Sequence, residues 1–208
     1  MILPFDYVYV ISYIRNIEKQ NKIKEYLNNI WNINFDFIYG IDTNDFSNIF
    51  IFNNIALMNQ KENTKPYNIG HISGTFAHYT AIQHALLHNF NSCLIIEDDA
   101  IFTDDLDYIQ YCFNNMPDDA NCCRFGLTHR DYDEITNEGF WIKNEICCYG
   151  AQCYSMNNRD AMKYYLKQIQ KKFVTADEPH LFMKNVYSLK EIMCKDPNSW
   201  LPLVHMSL

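Results

Sequence analysis

Apolar runs alternate along the chain with amphipathic stretches, a pattern typical of strands and helices that share one core. Residues 7–12 are β-branched and aromatic and predict a first strand, and residues 17–30 follow with apolar positions at helical spacing. Residues 35–42 predict a second short strand. Residues 72–88 predict a long helix, and residues 93–96 are apolar throughout, which predicts a fully buried strand.

The alternation continues through the second half of the chain. We predict a helix over 104–116, a strand over 122–127, a strand over 146–156 interrupted at Gly150, and a helix over 158–169. Residues 43–68 and 131–144 are polar without periodicity and predict loops, the first with a short helix near 51–58. Strands that alternate with helices in a chain of 208 residues predict a single α/β domain with a mixed, mainly parallel sheet.

Three consecutive acids, Glu97, Asp98 and Asp99, follow the buried strand at 93–96. In an open α/β sheet, ligands bind beyond the carboxyl ends of the strands, so these acids lie where chemistry is expected. Closely spaced carboxylates can hold Mn²⁺ or Mg²⁺ and leave positions open for phosphate oxygens. The alternative is an acidic turn without a ligand, since one short motif is only a hypothesis.

Other polar residues follow the predicted strands or open the predicted helix. Arg15 could reach a phosphate or be a solvated arginine, and Asp42 could bond a ribose hydroxyl or a base. Gly70 and Gly74 would allow the backbone to approach a phosphate or sugar closely. His129 and Arg130 could touch acceptor or pyrophosphate, although a plain loop is the favoured interpretation.

The composition narrows the function classes. A net charge of -8 argues against a nucleic-acid binder that relies on phosphate neutralisation. No apolar run is long enough to span a bilayer, and the start lacks the basic residues of a signal peptide, so we expect a cytoplasmic protein. The eight cysteines include two adjacent pairs and no finger spacing, which predicts reduced, buried thiols rather than disulfides or zinc.

Two segments together resemble the paired signature of glycosyltransferase family 25. Residues 70–78 resemble the family's glycine turn ending in Ser-His, and residues 94–100 resemble its apolar strand ending in Glu-Asp-Asp. Residues 10–12 with Arg15 resemble the family's opening motif. The family includes bacterial lipopolysaccharide and lipooligosaccharide glycosyltransferases and the collagen hydroxylysine galactosyltransferases.

The resemblance implies a GT-A-like fold, with a donor half over 1–100 and an acceptor half over 101–208. It implies transfer, with inversion, from UDP-galactose or UDP-glucose to a carbohydrate or hydroxylated side chain, with Mn²⁺ or Mg²⁺ as cofactor. Glu97 and Asp99 would hold the metal or the ribose, and a late histidine, His205, would be a further metal ligand. The implied donor-binding residues are Val10, Ile11, Ser12, Arg15, Asp42, Gly70, His78, Asp98 and Gly150.

Asp177 and Glu178 are the candidates for the catalytic base, because Asp177 matches an acid that the family shows in this segment. A displacement with inversion needs a carboxylate that accepts the proton of the acceptor hydroxyl. The alternative is that both acids only favour the start of a helix.

Two rival classes stay open. His71 and Ala77 depart from the family pattern, which leaves a catalytically inactive sugar- or nucleotide-binding homologue possible. A nucleotidyltransferase would need a basic, glycine-rich triphosphate loop near the start, which residues 13–16 lack. No nucleic-acid partner and no membrane span are expected, while peripheral membrane association stays open.

Overall fold

The structure is a computed structural model. It describes residues 2–42, 44–45, 69–126, 129–130, 140–143, 148–171, 175–176, 179–180, 183–195 and 197. The predicted helix at 51–58 lies outside the described residues.

Nine of the described strands form one mixed sheet. Its strands are β1 (Tyr7–Ser12), β2 (Asp36–Tyr39), β3 (Cys93–Glu97), β4 (Ile101–Phe102), β5 (Cys122–Gly126), β7 (Trp141–Lys143), β9 (Cys153–Met156), β10 (Val186–Leu189) and β11 (Cys194–Lys195). A separate two-stranded ribbon pairs β6 (His129–Arg130) with β8 (Cys148–Tyr149). The main order is β2-β1-β3-β9-β5-β10-β7, with β11 pairing β5 and β4 beside it.

Six strands of the large sheet share one direction, and β4, β7 and β9 run the opposite way. The prediction of an α/β fold with a mixed, mainly parallel sheet is therefore confirmed. In β1, Val8 and Val10 point into one core while Tyr9 and Ile11 point into the other, as the period of two in a strand requires.

In the described residues, four α-helices cover the two faces of the sheet. They are α1 (Ile17–Tyr26), which continues as a π-helical turn (Leu27–Trp31), α2 (Ile69–Leu87), α3 (Leu106–Asn114) and α4 (Arg159–Lys171). Residues of α1 and α3 pack against the Val8 side, and residues of α2 and α4 pack against the Tyr9 side. Each face is thus closed by helices, which explains why β1 and β3 are apolar on both sides.

The remaining elements differ from the sequence predictions. Residues 129–130 form a strand rather than a plain loop, because they pair with residues 148–149. Residues 141–143, predicted as irregular, form β7 against β10. The interrupted strand at 146–156 is two strands, β8 and β9, separated around Gly150, whose φ of 117° lies in the left-handed region that favours glycine.

Candidate active site

A cleft of about 400 Å³ lies at the edge of the sheet where β1 and β3 end. Its walls come from the end of β1 and the start of α1, from the first turns of α2, and from the three acids at and directly after the end of β3. The parallel register of β1 with β2 and β3 brings these three strand ends to one edge. This edge is the position at which open α/β sheets bind ligands.

Asp98 is the acid tied most closely to β1. The Ser12 hydroxyl donates to Asp98 Oδ2 at 2.6 Å, and the Asn16 amide donates to the same oxygen at 3.4 Å. The Asp98 backbone N–H donates to the Ile11 carbonyl at 2.9 Å, which fixes the turn. Burial, and then the charge of Asp99, raise the pKa of Asp98, although the Ser12 hydroxyl opposes the shift.

Asp99 faces a cation of the protein and also carries an unused oxygen. The Lys19 ammonium lies 2.8 Å from Asp99 Oδ2. Asp99 Oδ1 is buried and has no hydrogen-bond partner among the described residues. A buried acceptor without a partner is costly unless a ligand satisfies it, so this oxygen is a candidate for a bound cation or donor group.

Glu97 is held from the opposite side by side chains of α2 and of the segment that opens β9. His78 Nε2 lies 3.2 Å from Glu97 Oε1, and the Gln152 amide donates to Glu97 Oε2 at 3.4 Å. The Glu97 backbone N–H also donates to the Gln152 carbonyl at 2.8 Å. The three acids therefore have three different sets of partners.

A second polar group lies beside the cleft and centres on Asp42. Arg15 Nη2 and Nε donate to Asp42 Oδ2 at 2.8 and 3.2 Å, and the Tyr13 hydroxyl donates to Asp42 Oδ1 at 2.7 Å. These donors, with Arg15 the larger contributor, lower the pKa of Asp42 to about 2. Tyr13 lines the cleft, so it connects the Arg15–Asp42 pair to the site.

Four small residues of α2 form the opposite wall, namely Gly70, Ser73, Gly74 and Ala77. The Ser73 hydroxyl donates to the Ile41 carbonyl at 2.9 Å, which ties α2 to the segment after β2. No heavy atom of the described residues lies within 4 Å of the position that a Gly74 Cβ would occupy. The start of α2 thus presents backbone and open space to the cleft.

The other predicted donor residues contribute differently. Ile11 lines the cleft, but the Val10 side chain is fully buried in the core. His78 is buried against Glu97. The Gly150 carbonyl accepts a hydrogen bond from the fully buried Arg124 guanidinium, so Gly150 is engaged through its backbone.

The proposed bases Asp177 and Glu178 and the proposed ligand His205 lie outside the described residues. Among the residues that the structure does describe, no group of three or more His, Cys, Asp or Glu side chains is arranged to hold a metal ion. Across the same residues, no helix is long and apolar enough to cross a membrane.

Sequence reasoning missed several side chains of the site. Asn16 and Lys19 have helical spacing just after the first strand, which is a signal that they could face its end. Tyr13 directly follows that strand and could have been found in the same way. Gln152 and Tyr154 offered no such signal, because their place beside β3 depends on the antiparallel pairing of β9.

The fold and the site define an α/β protein with an acidic ligand cleft at the carboxyl edge of its sheet. The profile of "Glycosyltransferase family 25 (LPS biosynthesis protein)" matches residues 5–181. The chain belongs to glycosyltransferase family 25, and the resemblance seen in its sequence motifs is confirmed. A comparison with curated proteins found no match. Family membership supports glycosyltransferase activity, with a sugar donor and a glycan acceptor.

Proposed function

We propose that the protein transfers a hexose from UDP-galactose or UDP-glucose to a hydroxyl of a carbohydrate or hydroxylated side chain. In this proposal the fold is of the GT-A type, the reaction inverts the anomeric centre, and a divalent cation assists it. The observation that carries the proposal is the unpartnered buried oxygen of Asp99, next to Asp98 in a cleft with an open helical wall.

We place the phosphates of the nucleotide at the start of α2 and the nucleoside beside Tyr13, both of which line the cleft. Backbone N–H groups and the dipole at a helix start favour a phosphate, and Gly70 and Gly74 leave room for it at the start of α2. Tyr13 offers an aromatic face and Asp42 an acceptor to the nucleoside. These contacts agree with a donor half over residues 1–100, since every residue that lines the cleft falls within it.

The described acids fit a hard cation. Mn²⁺ and Mg²⁺ bind through one or two carboxylates together with phosphate oxygens and waters, so a cluster of three protein ligands is not required. Asp99 would bind through its unpartnered oxygen, and Glu97 would stand beside it, with His205 as a further proposed ligand. The cation would neutralise charge that develops on the leaving diphosphate.

The transfer needs one proton acceptor. The oxygen of the acceptor hydroxyl attacks the anomeric carbon, the bond from that carbon to the β-phosphate oxygen breaks, and its electron pair leaves with UDP. The hydroxyl proton passes to a carboxylate, for which we propose Asp177 first and Glu178 second. Both belong to the proposed acceptor half, residues 101–208.

We also propose a cytoplasmic location. The cysteines whose side chains are described are all free and buried, which suits a reducing compartment. Peripheral association with a membrane surface is compatible with this proposal.

A panel of nucleotide sugars, with and without Mn²⁺, tests the proposal through nucleotide release and thermal shift. The wild-type protein should release UDP slowly from one UDP-hexose in the presence of Mn²⁺, even without acceptor. Asp99→Asn should lower turnover about 100-fold and weaken nucleotide binding with metal, because it removes the charged ligand. Asp177→Asn should leave donor binding nearly intact and lower turnover by about 10²–10⁴-fold, as expected for a lost general base.

Asp160→Asn is the matched control, because its side chain is 91% exposed and pairs with Lys163 on the surface. It should stay within about twofold of wild type. If Asp99→Asn behaves like this control, the acids after β3 are not the metal site. Nucleotide binding without any hydrolysis or transfer would favour an inactive homologue instead.

A further inference from the structure

A buried tyrosine, a buried histidine and Glu97 form a chain of two polar contacts. His78 of α2 is 1% exposed and Tyr154 of β9 is fully buried. His78 Nδ1 lies 2.9 Å from the Tyr154 hydroxyl, and its Nε2 lies 3.2 Å from Glu97 Oε1. The two rings are nearly parallel, with 16° between their planes. The imidazole therefore links the core of the molecule to an acid of the cleft.

The chemistry of the three groups determines where the ring proton lies. An ionised carboxylate only accepts hydrogen bonds, so with Glu97 ionised the 3.2 Å contact places a proton on His78 Nε2. A neutral imidazole then has a bare Nδ1, which accepts from the Tyr154 hydroxyl. Burial, and then the charge of Tyr165 and a hydrogen bond with it, raise the pKa of Tyr154 well above its usual value, which keeps the hydroxyl protonated. The Tyr165 hydroxyl donates to the Ala176 carbonyl, so its oxygen and His78 Nδ1 are the two acceptors beside the Tyr154 proton.

The strand that supplies Tyr154 also fixes the other side of Glu97. Ile95 pairs with Tyr154 across the antiparallel β3–β9 ladder. Two residues earlier in the chain, Gln152 bonds both the backbone N–H and the second carboxylate oxygen of Glu97. Both oxygens of Glu97 thus accept from protein donors, in contrast to Asp99.

We propose that His78 and Tyr154 are positioning residues of the active site. The Tyr154 hydroxyl selects the Nε2–H tautomer of His78, and that N–H holds the Glu97 carboxylate in the orientation that the cleft uses. Ordered hydrogen bonds of this kind orient acidic side chains that bind cations or substrates. The effect on sugar transfer rests on the proposed function, whereas the tautomer and the orientation of Glu97 do not.

The chain offers a matched control for this proposal. The Tyr9 hydroxyl lies 2.9 Å from His84 Nδ1, so a second buried tyrosine bonds the same ring atom of another histidine of α2. Within the described part of the chain, His84 makes no hydrogen bond to the acids of the cleft, and its ring stacks on His88. Tyr154→Phe and Tyr9→Phe remove the same bond at two different places.

Ring ¹⁵N NMR of histidine-labelled protein reads the tautomer directly. The chain has seven histidines, and the spectrum of His78→Gln assigns the His78 signals. Wild type should show protonated Nε2 and bare Nδ1 at His78 with the chain free of ligand. Tyr154→Phe should shift His78 toward a mixture of tautomers, and Tyr9→Phe should leave it unchanged. A wild-type ring protonated at Nδ1 would overturn the proposal.

Kinetics separate positioning from folding. Both tyrosine variants should lower Tm by about 2–4 °C or more, because each loses a hydrogen bond. The loss should be larger for Tyr154→Phe, since its hydroxyl also bonds Tyr165 and His78 is buried. Only Tyr154→Phe should lower kcat/KM for the donor, by about 10–100-fold. His78→Gln, which retains an N–H donor for Glu97, should keep more activity than His78→Leu. Equal kinetic losses in the two tyrosine variants would contradict the proposal.

The two failures are distinguishable. If neither wild type nor any variant turns over a nucleotide sugar, the proposed function is wrong. The ¹⁵N NMR measurement of the His78 tautomer then still tests whether Tyr154 and His78 orient Glu97. If wild type transfers sugar but Tyr154→Phe changes neither the tautomer nor kcat/KM, the positioning role alone is wrong.

Discussion

The Asp42 carboxylate is fixed in orientation by hydrogen bonds from three neighbouring residues. Arg15 and Tyr13 donate to its two oxygens, and the Asn44 backbone N–H donates to Oδ1 at 2.9 Å. Asp42 therefore stays ionised at neutral pH, and Arg15 is oriented along the edge of the site. A ligand that binds here meets a fixed acceptor rather than a loose surface acid.

This arrangement gives a prediction about pH. The pKa of Asp42 falls from an ordinary value of 3.8 to about 2 in the folded chain. A lowered pKa means that its stabilising contribution is present above about 3.8 and is lost as the pH falls toward 2. Carboxyl ¹³C NMR should give a midpoint near 2, and Tyr13→Phe should raise that midpoint toward 3.8.

The pH dependence of activity provides a second test of the Asp42 contacts. Asp42 contacts should persist throughout the pH range in which enzymes of this kind work, so activity should show no transition caused by Asp42 above pH about 5. A wild-type midpoint close to 3.8 would mean that the contacts with Arg15 and Tyr13 are not formed in solution.

Helix α2 packs so closely against Gly40 that a side chain there would collide with Ser73. A Cβ at Gly40 would lie 2.3 Å from the Ser73 hydroxyl oxygen and 2.8 Å from the Ser73 carbonyl oxygen. The carbonyl belongs to the backbone of α2, so a change of rotamer at Ser73 cannot relieve the contact. The cleft therefore depends on close packing between the end of β2 and α2.

Two glycine substitutions should have opposite effects on stability. Gly40→Ala should destabilise the chain by about 1–3 kcal/mol, because the helix must move away. Gly74→Ala should stabilise it by about 0.5–1 kcal/mol, because alanine favours a helix and the Cβ meets open space. Chemical denaturation measures both, and calorimetry should show weaker UDP binding for Gly74→Ala, since its methyl group enters the cleft.

Each half of this prediction can fail separately. A Gly40→Ala variant as stable as wild type would show that α2 and β2 separate without cost. Unchanged UDP binding in Gly74→Ala would mean that the nucleotide does not approach this wall of α2.

Long elements with a strong pattern were predictable from the sequence, and short ones were not. Strands β1 and β3 are buried along contiguous residues, and the buried positions of helix α2 recur along most of its length, so the positions of these elements agree with the predictions. Strands β10 and β11 have four and two residues, and their pairing with β5 comes from residues far away in the chain. A pattern confined to so few residues does not distinguish a strand from a loop.

The candidate site divides in the same way. The acids after β3 were predictable, since a buried strand that ends in carboxylates is visible in the sequence. Their partners were not, because Lys19 and Asp99 are 80 positions apart in the sequence and meet only in the folded sheet. His78 was expected from its motif, but its contact with Tyr154 depends on β9 lying beside β3.

The order of the strands interlocks the two halves of the chain. Strand β9 comes from the second half and lies between β3, which comes from the first half, and β5. Gln152, which directly precedes β9, reaches Glu97 for this reason. The proposed donor and acceptor halves therefore share one sheet, and we expect them to unfold together.

The reactivity of free cysteines in both cores can show whether the two halves unfold together. Cys93 and Cys122 lie in the core covered by α2 and α4, while Cys112, Cys123, Cys153 and Cys194 lie in the core covered by α1 and α3. Burial raises the pKa of Cys93, Cys112 and Cys123 from 9.0 to about 12, which suppresses their reactive thiolate form. These thiols should be protected from maleimide in the native protein.

In increasing urea, peptide mapping by mass spectrometry should show all six thiols losing protection at one common midpoint. The reason is that both cores are built on the same sheet, so neither can open without exposing residues of the shared strands. Far-UV circular dichroism gives the control midpoint for global unfolding. If Cys93 and Cys122 became reactive at a clearly lower urea concentration than the other four, the two faces would be separate cooperative units, and the single-domain prediction would be wrong.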